Sequence, residues 1–179
     1  MKRIFTVLIC AVLLLCGCSG KAKDNRTLPK TFNASAIVEF DGTTYEALLT
    51  RISDGYWRVE LMQPDAVKGL VFDIAGEEMN ISFKGLLFTF DSEKFPVSSV
   101  VSLITKSFDR LVPLNLDVVV GEETDRASGT VDDIAYSITF DKNGTPLTIE
   151  FANCAMKITF NTFEEIEADP EVSLEEQGE

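Results

Sequence analysis

The chain has 179 residues, four cysteines, no histidine, and 29 acidic against 16 basic side chains, for a formal charge of −13 at pH 7. That length suffices for one domain with a sizeable core, and the acidic balance excludes nucleic acid as a natural partner. The lack of histidine removes the usual zinc ligand and the usual general base at neutral pH.

Residues 1–17 read as a signal peptide. Lys2 and Arg3 form a positive start, an apolar run over residues 4–15 is broken only by Thr6, and Cys16-Gly17-Cys18 follows. A run of 12 residues falls short of the roughly 20 that a bilayer-crossing helix needs, so removal is expected rather than retention. Leu15-Cys16-Gly17-Cys18 resembles the lipobox of bacterial lipoproteins, with Leu at −3, a small residue at −1 and an obligatory Cys at +1. The resemblance implies that the Cys18 thiol is alkylated by a diacylglyceryl group and holds the mature chain on the extracytoplasmic face of the cell membrane. In a Gram-negative host, Ser19 in the next position implies sorting to the outer membrane. Each buried methylene of an acyl chain contributes about 0.8 kcal/mol, so two or three chains make such an anchor durable.

Loss of residues 1–17 leaves 14 basic against 29 acidic side chains, a mature charge of −15. Residues 18–31 carry a local charge of +3 from Lys21, Lys23, Arg26 and Lys30 against Asp24. This stretch reads as a lipidated cysteine followed by a flexible basic tether, able to reach about 45 Å when extended and suited to anionic headgroups. At the other end, residues 164–179 hold eight acidic side chains and no Lys or Arg, the composition of a solvated, disordered tail.

Between them, residues 32–163 show period-two alternation, the mark of half-buried strands. Trp57, Val59 and Leu61 alternate with Arg58 and Glu60; the same parity recurs in Met79, Ile81 and Phe83, in Leu86, Phe88 and Phe90, and in Tyr136, Ile138 and Phe140. Asp41-Gly42, Asp54-Gly55 and Asn143-Gly144 supply the positive φ that tight hairpins require, and Ala75-Gly76 and Lys84-Gly85 do likewise. The predicted strands are 32–40, 43–52, 56–62, 68–74, 79–83, 86–90, 114–121, 126–131, 134–140, 145–151 and 154–160. One helix is predicted over 96–112, where Val97, Val100, Val101, Ile104, Phe108 and Leu111 fall on one face and Pro113 forbids continuation. The fold class is therefore α+β and mainly β: one strongly curved antiparallel sheet of about eleven strands, an unclosed half-barrel, with a helix across its concave face.

Catalytic chemistry is not expected. Cys154 shares the parity of Met156 and Ile158, which predicts a buried thiol, and no histidine is there to activate it. Asp132-Asp133 and Glu122-Glu123 with Asp125 read as solvated hairpin ends rather than a metal cage. No cofactor and no metal site are predicted.

Two stretches carry a second resemblance. Tyr56-Trp57-Arg58-Val59-Glu60-Leu61 with Pro64 and Gly69-Leu70-Val71-Phe72, and later Phe140-Asp141-Lys142-Asn143-Gly144-Thr145-Pro146-Leu147, resemble the early strands and the late hairpin of the lipoprotein-localisation carriers LolA and LolB and of LprG-type lipid-binding lipoproteins. The resemblance implies an open half-barrel with a greasy interior that takes up a lipid, an acyl chain or an acylated protein without catalysis. Candidate lining residues of such a groove are Trp57, Phe72, Phe83, Phe88, Phe90, Val100, Ile104, Phe108, Tyr136 and Ile138. The competing expectation is an envelope structural or assembly lipoprotein with a solid interior that docks a protein partner, and alternation alone does not separate an apolar lining from an apolar filling.

Overall fold

The computed structural model describes residues 23–97 and 99–166. The predicted signal peptide, Cys18 and the acidic tail beyond Ile166 lie outside the described residues. The chain runs through β1 (Lys23–Arg26), β2 (Phe32–Phe40), β3 (Thr43–Ser53), β4 (Tyr56–Gln63), β5 (Leu70–Ala75), β6 (Glu78–Phe83) and β7 (Leu86–Asp91). It then forms α1 (Val100–Leu111), followed by β8 (Leu116–Val119), β9 (Asp125–Val131), β10 (Ile134–Phe140), β11 (Pro146–Phe151) and β12 (Met156–Glu165). All twelve strands belong to one antiparallel sheet in the order β1-β8-β9-β10-β11-β12-β2-β3-β4-β5-β6-β7. Among the described residues the sheet is not closed, and β1 and β7 are its two edges.

Local sequence explains most of this order. In β4, Trp57, Val59 and Leu61 are buried while Arg58 and Tyr56 face solvent. Asp41-Gly42 and Lys84-Gly85 both hold positive φ at two successive residues, the backbone of a type I′ turn whose twist matches that of the flanking strands. Asp132 and Asp133 do the same with φ of 46° and 63°, which places this acidic pair at a hairpin end. Gly129 has a different reason: a Cβ there would meet the Tyr136 hydroxyl at 2.7 Å across the β9–β10 pair. Register shifts at Arg51/Ser53 in β3–β4 and at Phe160/Thr162 in β12–β2 are bulges that bend the sheet near its middle.

Strand β8 is shorter than expected, Leu116–Val119 rather than 114–121, β5 and β12 each begin two residues late, and three larger differences stand out. Lys23–Arg26, within the stretch read as a tether, pairs with β8 as a twelfth strand; a short charged edge strand leaves no apolar alternation to read. β12 runs on to Glu165, so Glu164 and Glu165 lie in the sheet rather than in the tail. The helix starts at Val100 instead of residue 96, because the Ser99 side chain accepts a hydrogen bond from the Ser102 N–H at 3.2 Å and acts as the N-cap. Val97, expected on the helix's apolar face, precedes the helix and is exposed. No described helix is long and apolar enough to cross a membrane.

Candidate functional site

The concave face is one apolar surface under unequal cover. Twelve strands about 4.8 Å apart measure on the order of 50 Å along the curve, whereas a 12-residue helix is about 18 Å long. The helix therefore seals only part of the face.

In the sealed part, α1 presses Val101, Ile104, Phe108 and Leu111 into a cluster with Phe32, Leu49, Trp57 and Val59. Aromatic rings lock it: Phe108 lies 5.4 Å from Phe32, 5.7 Å from Trp57 and 6.1 Å from Phe160, centroid to centroid. Asp109 clamps the helix to β3 and β4. Its carboxylate accepts from Arg51 Nε at 2.8 Å, from Trp57 Nε1 at 3.1 Å and from the Gly55 backbone N–H at 3.1 Å. The buried Arg51 guanidinium also donates to the Lys30 carbonyl and lies over the Trp57 ring. Every polar group of this clamp has a partner, so burial of the charge is compensated.

The same face continues through β5 and β6, where Phe72 and Met79 remain buried, and loses its cover at β7. Strand pairing carries it outward through Val59↔Phe72↔Ile81↔Phe88 and Trp57↔Ile74↔Met79↔Phe90. At the end of the second row exposure jumps from 2% at Met79 to 45% at Phe90, and on the same strand Phe88 and Leu86 reach 48% and 59%. Phe95 joins the patch, 5.9 Å from the Phe72 ring and 6.4 Å from that of Phe90. Leu87 points from β7 to the opposite face and is 68% exposed. Large exposed aromatic and aliphatic side chains gathered in one place mark an interaction site. The patch is flanked by the Asp91–Lys94 ion pair at 2.8 Å, in which the hydrogen bond from Lys94 lowers the Asp91 pKa and Asp91 raises that of Lys94.

The ten residues expected to line a groove fall into different settings. Trp57, Phe72, Ile104, Phe108 and Ile138 are buried in the packed core. Phe83, Val100 and Tyr136 are half-buried, and Phe88 and Phe90 are exposed. Phe72, Phe83, Phe88 and Phe90 come together at the β5–β7 end of the sheet, whereas Tyr136 and Ile138 sit on β10. The space directly beneath the helix is filled by side chains. Sequence reasoning did not single out Leu86 and Phe95 as part of the patch, nor Arg51 and Asp109 as the clamp.

Other reactive or hollow features lie elsewhere. A crevice of about 450 Å³ opens at the C-terminal end of α1, lined by Lys30, Arg51, Ile52, Asp109 and Pro113, and another of about 420 Å³ lies over β10–β12. Cys154 sits in a 3-10 turn at Ala152–Cys154, partly exposed rather than buried, and desolvation pushes its thiol pKa up. Buried Asp125 accepts from Lys142 at 2.7 Å, from the Gly121 N–H at 3.1 Å and from Arg26 at 2.7 Å. The Lys142 bond contributes most to lowering its pKa, and the contact with Arg26 ties β1 to the body. Among the described residues, no group of three or more Cys, Asp or Glu side chains is placed to hold a metal ion.

This architecture, a single unclosed antiparallel sheet carrying one helix on its hollow side, defines the structural class. An uncharacterised conserved protein from Thermus thermophilus is similar to it with a TM-score of 0.50 at 12% identity, over 78% of this chain and 81% of that one. A LolA superfamily protein, NE2245 from Nitrosomonas europaea, aligns with a TM-score of 0.41 at 9% identity, over 82% of this chain and 91% of that one. The first likeness is one of fold alone. No family model matches the chain, and no curated protein matches it.

Proposed function

We propose that the protein is a membrane-anchored lipoprotein that binds or carries an acyl chain, as part of a lipid or of an acylated protein, without catalysing a reaction. The uncovered end of the concave face carries this reading. Leu86, Phe88 and Phe90 stand roughly half exposed beside the sealed core. Burying the exposed half of one such side chain contributes about 1 kcal/mol, so an alkyl chain laid across several of them gains useful affinity. Leu15-Cys16-Gly17-Cys18 supports anchoring through Cys18 on the extracytoplasmic face of the cell membrane. The resemblance of residues 56–72 and 140–147 to the lipoprotein carriers supports the ligand class.

Displacement of a fluorescent fatty acid tests the reading on delipidated protein. Saturable binding is expected, weakened at least about tenfold, or 1.4 kcal/mol, in a Phe88→Ser, Phe90→Ser double variant. Absence of binding together with a preparation free of extractable lipid rejects it. The filled space beneath α1 favours a second reading, an envelope assembly lipoprotein that docks a protein partner. That reading requires partner capture that depends on β7 residues and is indifferent to fatty acid.

A further inference from the structure

We propose that β7 is a self-pairing edge, joining two copies of the chain through an antiparallel β7–β7 seam about a two-fold axis at Phe88. The proposal goes beyond acyl binding, which needs only one copy. Exposed edge strands template pairing, and proteins normally blunt them with charge, proline or brevity. The edge at β1 is blunted in this way by charge, its described residues being Lys-Asp-Asn-Arg. The edge at β7 is not: its sequence is Leu-Leu-Phe-Thr-Phe-Asp, every residue is exposed, and among the described residues no strand lies beyond it.

The occupant follows from self-complementarity. The two-residue Lys84-Gly85 turn joins the pair Phe83↔Leu86. Counting outward with the antiparallel alternation makes Leu87, Thr89 and Asp91 the residues whose N–H and C=O groups point away from β6. A two-fold through Phe88 sets Leu87 against Thr89 twice, which makes four main-chain hydrogen bonds. It also sets Leu86 against Phe90 twice and Phe88 against itself on the concave side, so each apolar side chain meets another. The hairpin tip at Lys84 then lies level with Asp91 and Glu93 of the other copy, opposite charges near each other at both ends of the seam. A slip by one residue sets inner against outer faces, and a slip by two places Leu87 opposite Asp91 and leaves Leu86 without an apolar partner.

Cysteine crosslinking in the full chain reads the register directly. In a Cys154→Ala background, Phe88→Cys is expected to give a covalent dimer on mild oxidation in the envelope. A non-hydrogen-bonded pair brings Cα atoms to about 4.5 Å, within the range a disulfide spans. Coexpressed Leu86→Cys and Phe90→Cys chains are expected to give a mixed dimer, while the exposed Arg58→Cys and the background chain give none above their own baseline. The two experiments stand on different variants, so a folding defect in one leaves the other decisive. Absence of both dimers overturns the proposal, as does equal crosslinking from Arg58→Cys. Neither outcome depends on whether a fatty acid binds.

Discussion

The β3–β4 region and the edge strand β7 present the same kinds of side chain on the same face of one sheet, yet one is core and the other is surface. Trp57 and Val59 are sealed, while Phe90 and Phe88, which lie at the same levels along the strand pairing, stand open. The difference is in what lies above them. Asp109 and Phe108 hold α1 over β3 and β4, while every residue of β7 is exposed. Parity decides which way a side chain points; the reach of a separate element decides whether it meets water.

The contrast is testable through stability. Phe108→Ala opens a cavity in the sealed region and is expected to cost about 3 to 5 kcal/mol in urea unfolding; a loss below about 1 kcal/mol breaks the claim that the helix is packed tightly there. Asp109→Ala removes the acceptor shared by Arg51, Trp57 and Gly55 and is expected to cost about 2 to 3 kcal/mol. Because part of that loss is the stranded guanidinium, adding Arg51→Met should recover some of it.

A smaller, pH-dependent effect is expected at the β1 edge. The Asp125 pKa is lowered from 3.8 in the folded protein, chiefly by Lys142 and helped by the Gly121 N–H and Arg26. A depressed carboxylate stabilises the fold fully above its unfolded pKa, and that contribution fades as pH falls through the folded pKa. Thermal unfolding compared at pH 7 and pH 3 should therefore show a loss that Asp125→Asn reduces, and amide exchange in β1 should quicken first. The smallest effect is expected from Phe88→Ala, within about 1 kcal/mol of the parent protein while fatty-acid binding falls. A large stability loss at Phe88 would instead show that the open region is part of the core.

Much of the sheet was legible because its signals are local. Alternation in Trp57-Arg58-Val59-Glu60-Leu61 and turn chemistry at Asp41-Gly42 each sit within a few residues. What escaped was nonlocal or unpatterned. Arg51 and Asp109 are 58 positions apart and meet only once the helix is docked. Lys23–Arg26 becomes a strand because β8 offers it an edge and Asp125 takes Arg26. The start of α1 turned on one hydroxyl at Ser99, which the apolar spacing from Val97 onward concealed. Burial of Phe72 and exposure of Phe88 could not be told apart, since both are large apolar residues of the same parity.

The order of strands places the last described strand, β12, in the interior of the sheet, against β2, with Glu165 beside Phe32. Two meanders, β8–β11 and β2–β7, are thus sewn together by β12. A chain stopped before Met156 would hold two separate ribbons, each with a raw margin where the seam belongs, and neither could raise the ring cluster around Phe32. Assembly of the half-barrel consequently waits for β12, and deletion of Met156–Glu165 should unmake the middle of the molecule rather than trim its border.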